Sequence, residues 1–235
     1  MKILTISDSH SKHDQIPKEW LIPADVIIHA GDISNMGYLN EIELFCNWFN
    51  GLEQYTYKIF CGGNHDFGLA EKPKEVAEIL KRYPDIIYLE DSGVEIEGVK
   101  IYGSPQTPYF HGWAFNCARN QQDSIRYKKT LIKDYWDKLD NSIDILFTHG
   151  PVHGLHDLTP SGEFVGCKDL LDTIVTKLDN CLLHICGHIH MGHGFAYKYG
   201  KTFVNASILN ERYMLAYKPI IVDFDKETKK AIIIE

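Results

Sequence analysis

The run LLHICGHIHMGHG, Leu182 to Gly194, places His188, His190 and His193 directly behind a short apolar segment with the composition of a buried strand. Residues i and i+2 of an extended segment face the same side, so His188 and His190 can reach one centre while Ile189 turns away. Four more junctions of this kind occur earlier in the chain. Lys2 to Ile6 runs into Asp8-Ser9-His10, and Val26 to Ala30 into Gly31-Asp32. Tyr57 to Cys61 leads to Gly62-Gly63-Asn64-His65-Asp66, and Ile143 to Phe147 to Thr148-His149-Gly150-Pro151. In an open α/β sheet, ligands bind at the carboxyl ends of the strands, so five such clusters are expected to converge on one crevice.

Helix-period segments separate these strands. Asn40 to Leu52 sets Ile42, Phe45, Cys46, Phe49 and Leu52 on one face, and Lys74 to Tyr83 does the same with Val76, Ile79 and Leu80. Lys168 to Leu178 carries Leu170, Leu171, Ile174 and Val175 in that spacing, while Asp123 to Leu139 is a less regular fourth candidate. With Ile86 to Leu89 as a sixth strand, the alternation predicts an α/β domain containing at least one largely parallel sheet. Val94 to Tyr102, with its EGVK turn, and the C-terminal run Phe195 to Ile234 read instead as antiparallel strands. They predict a second sheet packed on the first, with helices outside on both faces.

No linker, low-complexity run or internal repeat divides the 235 residues, so residues 1–235 are expected to form a single domain. A 44% apolar and 12% aromatic composition supports a substantial core. The formal net charge of −8 argues against a broad grip on a nucleic-acid backbone, which needs clustered Lys and Arg. A small phosphorylated substrate remains compatible with that charge if bound cations supply the positive potential. The opening MKILTISDSH has too short an apolar run for a secretory leader, and no segment approaches a membrane span. Six cysteines without a C-x-x-C pair read as reduced core thiols and imply a cytoplasmic-type compartment.

The residues at the strand ends are two Asp, one Asn and several His, with no thiolate. Carboxylate and amide oxygens mixed with imidazole nitrogens suit Mn, Fe, Zn, Co or Ni, and suit Mg or Ca poorly. Seven donors exceed one tetrahedral site and fit two metal ions that share a carboxylate.

In their order along the chain, D-x-H, G-D, G-N-H-D, T-H-G-P and G-H-x-H resemble the signature of the calcineurin-like metallophosphoesterase superfamily. The segment IYGSPQTPYFHGWAFN, Ile101 to Asn116, with THGP, VGCKDLL and VNAS, is similar to the small metallophosphoesterase-domain-containing branch known from vertebrate brain. The resemblance implies a four-layer α/β/β/α sandwich of two mixed sheets. It implies that Asp8, His10 and His190 hold one metal ion, that Asn64, His149 and His188 hold the other, and that Asp32 bridges them. It assigns His65 as the acid that protonates the leaving oxygen, and it favours Mn as the metal. Some vertebrate members of that branch lack the first His of G-H-x-H, whereas this chain keeps both. The chain departs from the pattern three residues after Asp32, where many superfamily phosphatases carry an Asp that pairs with the catalytic His and this chain has Asn35.

The expected activity is metal-dependent hydrolysis of small phosphodiesters or cyclic nucleotides by a bridging hydroxide at a dinuclear centre. A phosphomonoesterase or protein phosphatase is the enzymatic alternative, and a nucleotide-binding sensor with little turnover is the alternative from another class. For the substrate, Tyr109 and His111 belong to an aromatic loop that also holds Phe110, Trp113 and Phe115. Arg119 offers a fork for a phosphate oxygen, and Asn35 and His193 complete the candidate contacts. His184, inside the strand, is read as a hydrogen-bonded core residue.

Overall fold

In a computed structural model, which describes residues 1–234, the first half of the chain alternates parallel strands with helices. It runs β1 (Lys2–Ile6), β2 (Ala24–His29), α1 (Leu39–Asn50), β3 (Tyr55–Phe60), α2 (Phe67–Glu71), α3 (Pro73–Leu80) and β4 (Ile86–Tyr88). A hairpin of β5 (Ser92–Ile96) and β6 (Val99–Ser104) follows, turning at Glu97-Gly98 with both residues at positive φ. A long loop holds the two-residue strands β7 (Thr107–Pro108) and β8 (Asn116–Cys117). Then come α4 (Gln121–Tyr127), α5 (Lys133–Trp136), β9 (Ile145–Thr148), α6 (Lys168–Thr176) and β10 (Leu183–Cys186). The remainder is β11 (Gly194–Lys198), β12 (Lys201–Asn205), β13 (Ile220–Asp225) and β14 (Lys230–Ile234).

The strands form two six-stranded mixed sheets, ordered β14-β13-β1-β2-β3-β4 and β11-β12-β10-β9-β6-β5. In each, four neighbouring strands are parallel and the antiparallel strands lie toward the edges. The period-2 alternation of side chains builds the layers. Ile3, Val26, Ile28 and Ile59 point from the first sheet toward Ile145, Phe147, Ile185 and Val204 of the second. Leu4, Ile27 and Phe60 point the other way, onto Phe45 and Phe49 of α1 and Val76 and Ile79 of α3. Leu146 and Phe203 face outward from the second sheet against Trp136, Leu170 and Ile174. Three apolar layers between four tiers of structure give the α/β/β/α sandwich.

Two expectations need correction. The second sheet is not built only from Val94 to Tyr102 and the C-terminal run: β9 and β10 form its centre, and β13 crosses back to pair with β1 in the first sheet, with β14 beyond it at the edge. Apolar strand runs look alike whichever sheet they join, so pairing is decided by register and packing. The helix expected over Asp123 to Leu139 is two short helices. Lys128 turns left-handed at φ 53°, and the chain after it runs alongside Ala118, whose N–H donates to the Thr130 carbonyl.

His184 is buried in β10, where its Nε2 lies 2.9 Å from Thr148 Oγ1. That hydroxyl donates to the Gly150 carbonyl, so it accepts from the ring. Burial pushes the imidazole down to about 3. The unfolded chain takes up this proton below its ordinary value near 6.5 and the folded chain does not, so the stability it contributes at neutral pH is lost as pH falls through that range. Urea unfolding across pH 7 to 4.5 is expected to show a declining free energy. In His184→Gln the decline should be shallower by up to about 1.4 kcal/mol per pH unit; identical slopes would contradict a neutral His184.

Candidate metal centre

The five polar clusters meet at one end of the sandwich, three from the first sheet and two from the second. The sheets are joined there by a parallel bridge between Ser7 and Ser207, and the Ile208 N–H donates to the Ser7 carbonyl at 3.1 Å. Reaching this point bends the backbone sharply. Asp8, His10, Asp32 and His188 all adopt positive φ, between 41° and 67°. Asp and His tolerate that region better than most residues, at a cost of roughly 1–3 kcal/mol each, and such strain concentrates at functional sites. Interlocking main-chain bonds hold the bends: Asp8 N–H to the Gly31 carbonyl and His10 N–H to the Asp32 carbonyl, both at 3.0 Å. Gly31, at φ 98°, has no room for a side chain, since a Cβ would lie 2.5 Å from His149 Nδ1. At Gly187 a Cβ would lie 2.2 Å from Asp8 Oδ2.

The Asp32 carboxylate is central. Its Oδ2 is 3.6 Å from His10 Nε2 and 3.3 Å from His149 Nε2, while its Oδ1 accepts from the His65 N–H at 2.8 Å. Beyond His149, Asn64 Oδ1 lies 2.9 Å from the same Nε2, and the His188 ring packs edge-on. On the opposite side, His10 Nε2 is 3.3 Å from His190 Nε2, which is 3.5 Å from Asp8 Oδ1. Asp8 also accepts from the His188 N–H and from Ser207 Oγ at 2.7 Å. Three overlapping sets of donor atoms, each within 4.8 Å of one another, result: Asp8 with His10 and His190, His10 with Asp32 and His65, and Asp32 with His149 and His188.

The electrostatics fit a cation. Burial would raise both carboxyls, but the surrounding imidazoles, His190 beside Asp8 and His149 beside Asp32, hold them well below the usual range. Burial alone pulls His149 and His190 down, and the neighbouring carboxylates reverse this, raising each to about 9. Burial keeps His10 and His188 low, at about 4, so both are neutral with a lone pair free. Carboxylates that draw protons onto buried imidazoles would equally draw divalent ions, and the mixture of two carboxylates, an amide and imidazoles matches transition metals. Main-chain carbonyls orient the rings from behind: His149 Nδ1 donates to Ala30 and His190 Nδ1 to Asn210, each at 2.9 Å.

His65 sits at the rim of this cluster, its ring 4.3 Å from Trp113 and 4.5 Å, edge-on, from His10. Its Nδ1 donates to the main-chain carbonyl of Asn35 at 2.8 Å. Asn35 therefore orients the histidine through its backbone. That backbone is fixed in turn by the Glu41 carboxylate, which accepts from the N–H groups of Asn35, Met36 and Tyr38 and from Ser11 Oγ.

A cavity of about 340 Å³ opens in front of these groups. Tyr109 and Arg119 line it, but the Arg119 guanidinium donates to the carbonyls of Val165 and Gly166 and so clips one wall to the other. The other expected substrate contacts lie outside its lining. His111 packs on Phe110, and His193 stacks on Tyr217 with ring centroids 4.6 Å apart. Trp113, Pro151, Val165 and Tyr213 line the cavity without having been assigned as contacts. Trp113 belonged to the aromatic loop already noted, whereas no local pattern marks Tyr213, whose ring lies 4.8 Å from that of His10 and 5.2 Å from that of His190.

The family model for calcineurin-like phosphoesterases matches residues 1–192. Human metallophosphoesterase domain-containing protein 1 is 33% identical over 243 residues, covering 94% of this chain and 70% of the human protein. A UPF0046 protein of Caenorhabditis elegans is likewise 33% identical, over 95% of this chain and 80% of its own length. Among solved structures, the TT1561 protein of Thermus thermophilus aligns with a TM-score of 0.64 at 14% identity, covering 99% of this chain and 97% of its own. A dimetal phosphatase from Danio rerio aligns at 0.57 and 10%, over 94% of this chain and 92% of that one, so both share the fold. The chain belongs to the calcineurin-like phosphoesterase family, whose members are phosphoric ester hydrolases that use a pair of divalent metal ions.

Asp66, next to His65, faces away from the ring and ties two of the site loops together. Its buried carboxylate accepts from the N–H groups of Ile33, Ser34 and Gly63 and from Ser34 Oγ. Burial, aided by the nearby Asp32 charge, pushes it up to about 7 against the pull of these donors. In Asp66→Asn an NH2 group would face N–H donors, leaving buried polar groups unpaired. The expected loss is about 2–4 kcal/mol in urea unfolding, and an unchanged midpoint would contradict this tie.

Proposed function

We propose that this chain is a metal-dependent phosphodiesterase acting on small phosphodiesters within a single domain, in a reducing, cytoplasmic-type compartment. The observation that carries the assignment is the Asp32 carboxylate, which contacts His10 on one side and His149 on the other and so joins two donor sets. Asp8, His10 and His190 would hold one ion, Asn64, His149 and His188 the second, and Asp32 both, with Mn favoured. When bound, the pair supplies Lewis acidity to a phosphoryl oxygen and acidifies a water molecule. Two divalent ions against two carboxylates leave about +2 of formal charge, which reconciles a net −8 chain with an anionic substrate.

The protein's own groups complete the chemistry. Because a carbonyl can only accept, the Asn35 bond keeps one proton on His65 Nδ1; a proton delivered to the departing oxygen would come from Nε2 of the doubly protonated ring, leaving the neutral Nδ1–H imidazole behind. Trp113, tilted 33° against the ring, and His10, edge-on to it, restrict its rotation. Two observations support a diester over a monoester. The larger cavity offers Pro108, Tyr109, Phe110 and Trp113 to one ester arm, an arrangement suited to a flat group such as a nucleobase. A second, smaller cavity shares Thr159, His188, Ile189, His190 and Tyr213 with it and extends beyond them, leaving space for the other arm.

With Mn²⁺ present, bis-(p-nitrophenyl) phosphate is expected to turn over faster than the monoester, and a clear monoester preference would point to a phosphatase instead. Stripping metal with a chelator should abolish turnover and Mn²⁺ should restore it. Asp32→Asn is expected to lose bound metal and rate together, as measured by elemental analysis and kinetics. His65→Ala should keep its metal and lose about 10²- to 10⁴-fold in kcat on a dialkyl phosphate. Its loss should be smaller on the p-nitrophenyl diester, whose leaving group needs little help from an acid. Full activity of His65→Ala on the dialkyl substrate would refute the acid role.

A further inference from the structure

The smaller cavity, of about 210 Å³, has a chemistry different from that of the larger one. It shares Thr159, Tyr213 and the His188–His190 segment with the larger cavity, and Pro160, Met191 and Glu211 border it alone. Among the described residues no Lys or Arg lines it, and apart from the histidines Glu211 is its one charged group. Lys12 approaches the same loop, but its Nζ donates to the Tyr213 carbonyl and it does not line the cavity. Glu211 and Tyr213 reach it from the loop between Asn210 and Met214. Asn210 Oδ1 shapes that loop by accepting from the N–H groups of Arg212 and Met214, while the Asn210 carbonyl orients His190. The cavity is thus built by the same loop that orients a candidate metal ligand.

Resting on the phosphodiesterase assignment, we propose that this lobe is the subsite for the retained ester arm of the substrate and that it takes a compact alkylammonium group. His65 and Trp113 line the larger cavity, so the leaving arm belongs there and the retained arm falls to the lobe beyond His188–His190. An anionic arm would meet the Glu211 carboxylate as a like charge. A purely apolar arm would leave that solvent-exposed carboxylate without a partner. A methylated or primary ammonium satisfies the carboxylate and lies favourably against the Tyr213 ring and the Met191 thioether. The volume is below the roughly 300 Å³ at which pockets begin to hold drug-sized ligands, which limits the arm to a compact group.

The test compares two p-nitrophenyl phosphodiesters on the Mn²⁺-loaded protein, one with a choline arm and one with the isosteric neutral 3,3-dimethylbutyl arm. The ratio of kcat/KM for choline over neutral is expected to be about tenfold or more. In Glu211→Gln and in Tyr213→Leu that ratio should fall about threefold or more, and in Glu211→Lys it should drop below one. Titration calorimetry of phosphocholine against inorganic phosphate should show the same preference for the cationic ligand, lost in Glu211→Lys. Equal rates on the two diesters in the unmodified protein, or a preference that survives Glu211→Lys, would overturn the subsite while leaving the phosphodiesterase assignment standing. Turnover of neither diester would overturn that assignment and the subsite with it.

Discussion

Two buried carboxylates, Asp8 and Asp32, set the terms for the rest of this structure. Each is almost completely removed from water and surrounded by imidazoles, and a charge in that position is tolerated only when compensated. His149 and His190 respond by holding protons far above their ordinary range, while His10 and His188, driven down by burial, present lone pairs to the same space. The cluster is balanced electrostatically only by protons or by cations. The family works with divalent metal pairs, and cations bound at this cluster would place positive charge in front of a phosphoester despite the acidic chain.

Holding these side chains together has a conformational cost, which the surrounding main chain offsets. Four of the donors sit at positive φ, and the bends are closed by hydrogen bonds from one site loop to the next. Behind the donors, carbonyls of Ala30, Asn35 and Asn210 take the second nitrogen of His149, His65 and His190. Carbonyl partners fix which nitrogen carries hydrogen and so which one points at the centre. Asp66 and Glu41, neither of which reaches the cavity, hold the loops that supply two of the site's key groups, His65 and its Asn35 partner. Precision at the centre depends on carboxylates placed around it as much as on those within it.

Much of this was legible along the chain. Each of the seven donors follows a short apolar strand, and the strands proposed from composition are present to within a few residues at their ends. Local chemistry made this possible: a buried parallel strand is an apolar run, and the residues just after it are free to be polar. Other features left no local trace. Asn35 looked like the loss of a partner for His65, because a side chain can be read from a sequence and the direction of a carbonyl cannot. Tyr213 reaches His10 from 203 positions away along the chain, as 213 minus 10, and nothing in its neighbours signals that contact. His193, spaced like its two partners, is turned onto Tyr217 once the chain enters a 3₁₀ turn at His190–Gly192, because the extended period that aligned His188 with His190 ends there.

The sequence by itself determined the strand–donor units, their order and their donor chemistry, since these depend on residues close together in the chain. Tertiary structure decided how the units were shared between sheets. Asp8, Asp32 and Asn64 with His65 arrive on β1, β2 and β3 of one sheet, while His149 and His188 with His190 arrive on β9 and β10 of the other. The apolar faces of both sheets must be buried against each other, and stacking them in that way brings their carboxyl ends to a common edge. The centre therefore lies between two sheets, at a place that no one strand and no single sheet defines.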